Sequence, residues 1–153
     1  MPISAQIPAP DFTLSDETGT PRKLSSFRGQ PVVLYFYPRD DTPGCTTEAC
    51  KFRDDYSDFT KAGVTILGVS PDSPKSHAKF KEKYSLPFSL LADEEHKVCE
   101  LYGVWGRKTM MGKEYDGVFR TTFIIAADGM IKKVFEEVKP ADHSVEVMAA
   151  LSE

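Results

Sequence analysis

The chain has 153 residues, 41% hydrophobic and 27% charged, the proportions of a globular protein with one core, and a single domain over residues 1–153 is expected. With 19 Lys and Arg against 23 Asp and Glu, the net charge is −4 and there is no long basic run, which sets the chain against nucleic acid and anionic membrane surfaces as partners. No stretch approaches the roughly 18 consecutive apolar residues of a membrane span, and the first residues lack the basic and apolar segments of a leader, so an unprocessed cytoplasmic chain is expected.

Ala9–Leu14 alternates weakly and predicts a short strand, with Asp16–Thr20 as its turn and Arg22–Leu24 as the returning partner. A short turn over Leu24–Gly29 leads into Val32–Tyr37, the strongest strand signal in the sequence. The Pro/Gly loop that follows opens a helix from Cys45 or Thr46 to Lys61, on which Cys45, Ala49, Phe52, Tyr56 and Phe59 form an apolar stripe. Gly63 closes that helix, and Val64–Ser70 is a strand buried on both faces. A helix over Lys75–Tyr84 follows, with Ala78, Phe80 and Tyr84 inward, then a strand over Leu86–Ala92. Asp93 is expected to cap a helix to Tyr102, with Val98, Leu101 and Tyr102 on its apolar side. Lys108–Met111 and Thr121–Ile125 predict strands, and Ala127–Met130 a hairpin turn into Ile131–Val138. The last helix spans His143–Leu151, with Val145, Met148, Ala149 and Leu151 inward. Strands alternating with helices define an α/β fold, a central mixed β-sheet flanked by helices, with an N-terminal β-hairpin as an extension.

Three cysteines in such a chain argue for reactive, metal-binding or buried thiols over a disulfide framework. Cys45 falls at the start of a helix, after a loop holding Pro38, Asp40, Asp41, Thr42, Pro43 and Gly44. A thiol of ordinary pKa, ~8.5, is only ~3% thiolate at neutral pH, and at ~6 it is ~90% thiolate. The unpaired N–H groups and macrodipole of a helix N-terminus move a thiol in that direction, as does a nearby arginine. The gain in thiolate is only ~30-fold, near ~2 kcal/mol, so a fast reaction also needs positioning. Thr42 offers a hydroxyl that both donates and accepts, Gly44 and Cys45 offer backbone N–H groups, and Pro38 and Pro43 stiffen and shield the turn. Such parts suit a small polar substrate with two oxygens, and attack on a peroxide would leave Cys45 as a sulfenic acid.

Pro38-x-x-x-Thr42-x-x-Cys45 is similar to the active-site motif of the peroxiredoxins, and Thr42-Pro43-Gly44-Cys45-Thr46-x-Glu48-Ala49-Cys50 resembles their Q-type branch, the bacterioferritin comigratory proteins. The likeness extends to Asp11-Phe12-Thr13-Leu14, Gly68-Val69-Ser70, Tyr102-Gly103-Val104-Trp105 and Arg120-Thr121-Thr122-Phe123-Ile124-Ile125. It implies a thioredoxin-like fold, Cys45 as the peroxidatic and Cys50 as the resolving cysteine, and Thr42 with Arg120 as activators of thiolate and peroxide. It further implies hydrogen peroxide and organic hydroperoxides as substrates, no metal or bound cofactor, and re-reduction by thioredoxin or a related dithiol protein. A later helix resolves in some members, and here the stretch Ser76–Tyr84 holds no cysteine. On an ideal helix, residues five apart have Cα atoms ~8.6 Å apart and ~140° around the axis. A disulfide needs roughly 4.4–6.8 Å, so a Cys45–Cys50 bond requires the helix to unwind.

An intrachain pair removes the need for a second copy, and a monomer is expected. Two other readings use the same cysteines: a thioredoxin-type disulfide oxidoreductase, for which Cys-x-x-x-x-Cys is the wrong spacing, and a non-enzymatic redox switch. Cys99 reads as a buried core thiol, since no loop or basic cluster adjoins it. His77, His96 and His143 lie in polar sequence and are expected at the surface; no paired ligand spacing suggests zinc.

Overall fold

The computed structural model describes residues 2–152. In chain order the first elements are β1 (Thr13–Ser15), β2 (Pro21–Lys23), a 3-10 turn over Leu24–Phe27, β3 (Val32–Phe36), α1 (Pro43–Asp54), α2 (Tyr56–Lys61) and β4 (Thr65–Ser70). They are followed by α3 (Pro74–Tyr84), β5 (Ser89–Ala92), α4 (Lys97–Leu101), β6 (Trp105–Met110), β7 (Lys113–Val118), β8 (Thr121–Ile125), β9 (Ile131–Phe135) and α5 (His143–Leu151).

Seven strands form one mixed sheet in the order β2-β1-β5-β4-β3-β8-β9. The parallel pairs β3–β4 and β4–β5 need crossovers, which α1–α2 and α3 supply, while β8 and β9 run antiparallel beside β3. β3 is fully buried because both faces are covered, which is why its sequence is a continuous apolar run. Val32, Leu34 and Phe36 face a layer holding Phe12, Val98, Cys99, Tyr102 and Phe123. Val33 and Tyr35 face the other layer, where Ala49 and Phe52 of α1, Phe59 of α2, Phe80 of α3 and Val147 of α5 meet. The N-terminal hairpin β1–β2 joins the sheet edge at β5 through Ser15 and Ala92. This is the expected mixed sheet flanked by helices, with the expected hairpin extension.

Several elements differ from expectation, each for a local reason. The helix expected to run to Lys61 breaks at Asp55, which sits at φ −96, ψ 7. Ser144 of α5 donates to Asp55 Oδ2 at 2.7 Å, a side-chain bond at the point where the helix stops. The helix also starts earlier, at Pro43: a proline at the first helical position lacks an N–H that would have had no partner anyway. Strand β7 went unseen in the sequence because four of its residues are exposed, so no alternation marks it. It pairs with β6 through a two-residue turn at Met111-Gly112, both at positive φ (52° and 78°), the geometry of a tight hairpin.

Strand β9 ends at Phe135 and not Val138, and β5 begins at Ser89. Asp93 does cap α4, but across an intervening turn: its carboxylate accepts the Val98 and Cys99 N–H groups at 3.2 and 2.7 Å. Leu101 is exposed, and Val98 and Tyr102 face inward. Helix α5 has its expected limits, and Met148 and Leu151 pack against the core as expected, but Val145 and Ala149 do not. Its polar first turn, His143 and Ser144, is buried, so Val147 and Ala150 point inward and Val145 is 68% exposed. In α3 it is His77 that lies inward with Phe80, while Ala78 and Tyr84 are half-buried. The surface positions expected for the histidines are therefore wrong for His77 and His143, and half-buried His96 stacks on Trp105 with ring centroids 4.0 Å apart.

Phe52 ties α1 to the sheet, with its ring 5.0 Å from Tyr35 and 5.8 Å from Phe59. Phe52→Ala is expected to lower the free energy of unfolding by about 3–5 kcal/mol, read from urea denaturation; a loss under ~1 kcal/mol would show that this contact does not anchor the helix.

Candidate active site

Strand β3 ends at Phe36, and Tyr37 still bonds to the Val69 carbonyl before half-buried Pro38 ends the pairing. The loop then turns through Asp41, at φ 56, into α1. Thr42 is the N-cap, in extended conformation, and its carbonyl accepts the Thr46 N–H at 2.8 Å to close the first turn. Pro43, Gly44 and Cys45 are thus the first three helical residues. The Gly44 and Cys45 N–H groups belong to the set at a helix start that has no intrahelical acceptor. The Cys45 side chain is nearly inaccessible, at 2% exposure.

Arg120 reaches this sulfur through the sheet. The β3–β8 register places Phe36 opposite Thr121, so the residue before Thr121 stands just past the end of β3, beside the loop. Its guanidinium forks: Nη2 donates to Cys45 Sγ at 3.2 Å and Nη1 donates to Glu48 Oε1 at 2.7 Å. Glu48 is one helical turn beyond Cys45 and its side chain is fully buried, while that of Arg120 is 16% exposed. Gly44 makes room for the fork: a Cβ there would lie 3.1 Å from Arg120 Nη2 and 3.7 Å from Pro140 Cγ.

Burial raises Glu48 from an ordinary 4.5 to about 7, and the charge and hydrogen bond of Arg120 offset this only in part. Its second oxygen, Oε2, has no partner among the described residues. Burial opposes the charge of Arg120, yet Glu48 and the Cys45 sulfur hold it above its ordinary value. Lys108 of β6 is a further cation in range. Burial and repulsion from Arg120 lower it, and the Cys45 sulfur works the other way. Burial, with Arg120 adding repulsion, lowers His143 from 6.5 to about 4.

The structure therefore brings Cys45, Gly44 and Arg120 together. The Thr42 hydroxyl stands at the helix start and donates to the Arg39 carbonyl at 3.0 Å. Pro43 is exposed at the first helical position, and Pro38 closes the strand. Cys50 is half-buried on the same uninterrupted helix, five residues from Cys45, and both thiols are free. Cys99 lies in the opposite layer, with β3 and its sheet between it and Cys45. Burial and the Asp93 carboxylate push its thiol well up. Glu48 is the site residue that sequence reasoning passed over. Its signal was a carboxylate three residues after Cys45, on the apolar face of the helix, where no solvent could serve it.

A buried thiol at a helix start, under an arginine delivered by a thioredoxin-like sheet, defines a thiol-dependent redox enzyme. Residues 5–134 match the family model described as AhpC/TSA family. The chain is 50% identical over 151 residues to a putative peroxiredoxin bcp of Coxiella burnetii, covering 99% of this chain and all of that one. It is 48% identical over 152 residues to peroxiredoxin Bcp of Escherichia coli K12, covering 99% and 97%. Among solved structures it is similar to the bacterioferritin comigratory protein of Xanthomonas campestris, at 39% identity, TM-score 0.90 and 97% of both chains. The chain belongs to the AhpC/TSA family and, within it, to the peroxiredoxins of the Q or Bcp type, which are thiol peroxidases. Its substrates are peroxides and its electrons come from a thiol. Among the described residues no helix is long and apolar enough to cross a membrane.

The shifts of Glu48 and His143 act oppositely on folding. Glu48 holds its proton more tightly when folded, so its contribution to stability is full below 4.5 and falls as pH rises to about 7. His143 holds its proton less tightly when folded, so its contribution is full above 6.5 and falls as pH drops to about 4. Between 4.5 and 6.5 the two slopes oppose. Urea midpoints across that range are expected to fall with rising pH in His143→Asn and to rise in Glu48→Gln; parallel curves for both variants and the wild type would contradict this.

Proposed function

We propose that Cys45 is the peroxidatic cysteine and Cys50 the resolving one, in a cycle that reduces hydrogen peroxide and organic hydroperoxides. The observation that carries this reading is the Arg120 guanidinium 3.2 Å from a buried sulfur at the third position of a helix. The Cys45 sulfur attacks the distal peroxide oxygen along the O–O axis. The O–O bond breaks, a sulfenic acid forms on Cys45, and the departing hydroxide or alkoxide leaves as water or alcohol after taking a proton. Arg120 and the free Gly44 and Cys45 N–H groups are aimed at the region where that oxygen charge develops, and Thr42 supplies a hydroxyl beside them. The Cys50 thiolate then attacks the Cys45 sulfur and displaces the sulfenic oxygen as water, closing a disulfide. An external dithiol protein of the thioredoxin type reopens it by exchange. No resident metal or cofactor enters any step.

Cys50 is favoured over Cys99 because it shares a segment with Cys45, whereas the sheet separates Cys99 from it. Closing the bond requires α1 to unwind over its first turns, which moves Glu48 out of its pocket and breaks the Arg120 fork. Organic hydroperoxides are included because the similar Xanthomonas campestris protein is described by its alkyl peroxide reduction activity. An intrachain pair needs no second subunit, so the working unit is read as a monomer, acting in the cytoplasm.

Peroxide-dependent NADPH oxidation, coupled through thioredoxin reductase and thioredoxin, tests the cycle. Cys45→Ser should abolish it, Cys50→Ser should oxidise once and fail to turn over, and Cys99→Ser should behave as wild type. Turnover surviving in Cys45→Ser would sink the assignment. Arg120→Lys keeps the charge and loses the fork; its rate constant for oxidation by peroxide is expected to fall by about 100-fold or more, measured in single turnover.

A further inference from the structure

The loop between β3 and α1 is held at its base by α3, and nothing in the cycle above uses that contact. Asp40 is 8% exposed, and donors surround its carboxylate. The Tyr37 hydroxyl donates to Oδ1 at 2.6 Å and the Ser76 hydroxyl donates to Oδ2 at 2.8 Å, with His77 Nδ1 2.7 Å from the same Oδ2. His77 is inaccessible, and its Nε2 lies 2.9 Å from the Leu91 carbonyl of β5. The Asp40 N–H donates to Asp72 Oδ2 at 2.8 Å, an oxygen that also accepts from Ser70. Asp40 is thus fastened through side chain and backbone to α3, β5 and the end of β4.

The next residue is fastened as well. Asp41 sits in the left-handed region, at φ 56, which non-glycine residues occupy uncommonly. Here the surroundings are Lys83 Nζ at 2.7 Å and Tyr84 OH at 2.8 Å, both on the last turn of α3 and both donating to the Asp41 carboxylate. Asp40, Asp72 and His77 also bring donor atoms within 4.8 Å of one another, a spacing that a cation could use. The facing atoms are already taken up by one another and by Tyr37, Ser70 and Ser76, which makes the cluster a hydrogen-bonded clamp. Buried polar networks of this completeness are rigid.

We propose that Asp40, Ser76 and His77 are positioning residues for the attack on peroxide. Through them α3 fixes the loop two residues before Thr42, so that Thr42 and the Gly44 and Cys45 N–H groups meet the peroxide oxygens in line with the sulfur. The proposal rests on Cys45 being the attacking thiol. The clamp ends at Asp41, one residue before the helix cap. It therefore holds the oxygen-binding side of the site still and leaves the residues beyond it free to unwind. Displacement by about 1 Å at such a site can lower a rate about 100-fold.

Two variants test this. Asp40→Asn disturbs the centre of the clamp, and Ser76→Ala removes one donor with little risk to the fold. Rapid-quench mass spectrometry would follow sulfenic acid and disulfide after addition of hydrogen peroxide. Alkylation of Cys45 by iodoacetamide, which has no peroxide oxygens to orient, would be measured alongside. Oxidation by peroxide is expected to slow by about 10- to 100-fold in Asp40→Asn and severalfold in Ser76→Ala, with alkylation and disulfide closure unchanged. Equal losses toward peroxide and iodoacetamide would mean that the thiol or α1 itself was disturbed, and would overturn the proposal. So would an unchanged peroxide rate in both variants; if Asp40→Asn does not fold, Ser76→Ala decides alone. Cys45→Ser belongs in the same series, because peroxide consumption surviving there would remove the reading beneath the proposal, and the proposal with it.

Discussion

The forked contact of Arg120 with Cys45 and Glu48 is the interaction on which the rest of the site depends. One guanidinium spans two consecutive turns of α1 on the same face, a sulfur at one prong and a carboxylate at the other. A lysine, as a point charge on a flexible stem, cannot hold both in one fixed geometry. The fork in turn depends on the sheet. Arg120 and Cys45 are 75 residues apart, and the antiparallel β3–β8 ladder places them side by side. Slipping that ladder by one residue would turn Arg120 to the other face of the sheet. Register in the core therefore sets the geometry of the site as well as that of the sheet.

Glu48 gives the site its second property. A carboxylate with no solvent exposure and one unpartnered oxygen among the described residues is an expensive group to keep buried in a helix. Among the described residues, its compensating partner is Arg120. In the proposed cycle, unwinding of α1 would return Glu48 to water and cost Arg120 both partners, so the two states of the segment would differ mainly in what solvates three charged or polar groups. On that reading the balance between closed and open helix lies in local electrostatics, while the apolar anchor at Phe52 holds the remainder of α1 to the sheet.

Much of this was legible in the chain. The continuous apolar run of β3, the Pro/Gly loop, and the hairpin at Ala127–Met130 follow from local pattern and turn chemistry. Cys45 at a helix start followed from the same rules, although Pro43 set the start two residues earlier than the apolar stripe implied. What stayed hidden was polar and buried. Glu48, His77, His143 and Asp40 look in sequence like solvated residues, and only the packing of distant segments reveals their partners: Arg120 for Glu48, Thr122 for His143, and Asp40 and His77 for each other. In α5 the apolar pattern gives Met148 and Leu151 their place against the core but not Val145 or Ala149, because the inward first turn is polar and bonds to Thr122 and Asp55. The contact of Arg120 with Cys45 needed long-range register, which no local pattern carries.

The break at Asp55 has a consequence for how far disorder can spread. Helix melting is cooperative, and a continuous helix from Pro43 to Lys61 would couple the opening of Cys45 to the release of Phe59 and the crossover into β4. With the chain interrupted at Asp55, and Arg53 bonded to the Tyr84 carbonyl at 2.8 Å just before it, the melting front meets a firebreak. On the proposed cycle, opening would be confined to a short segment and would spare the core, so turnover would not expose the surfaces that make a protein aggregate.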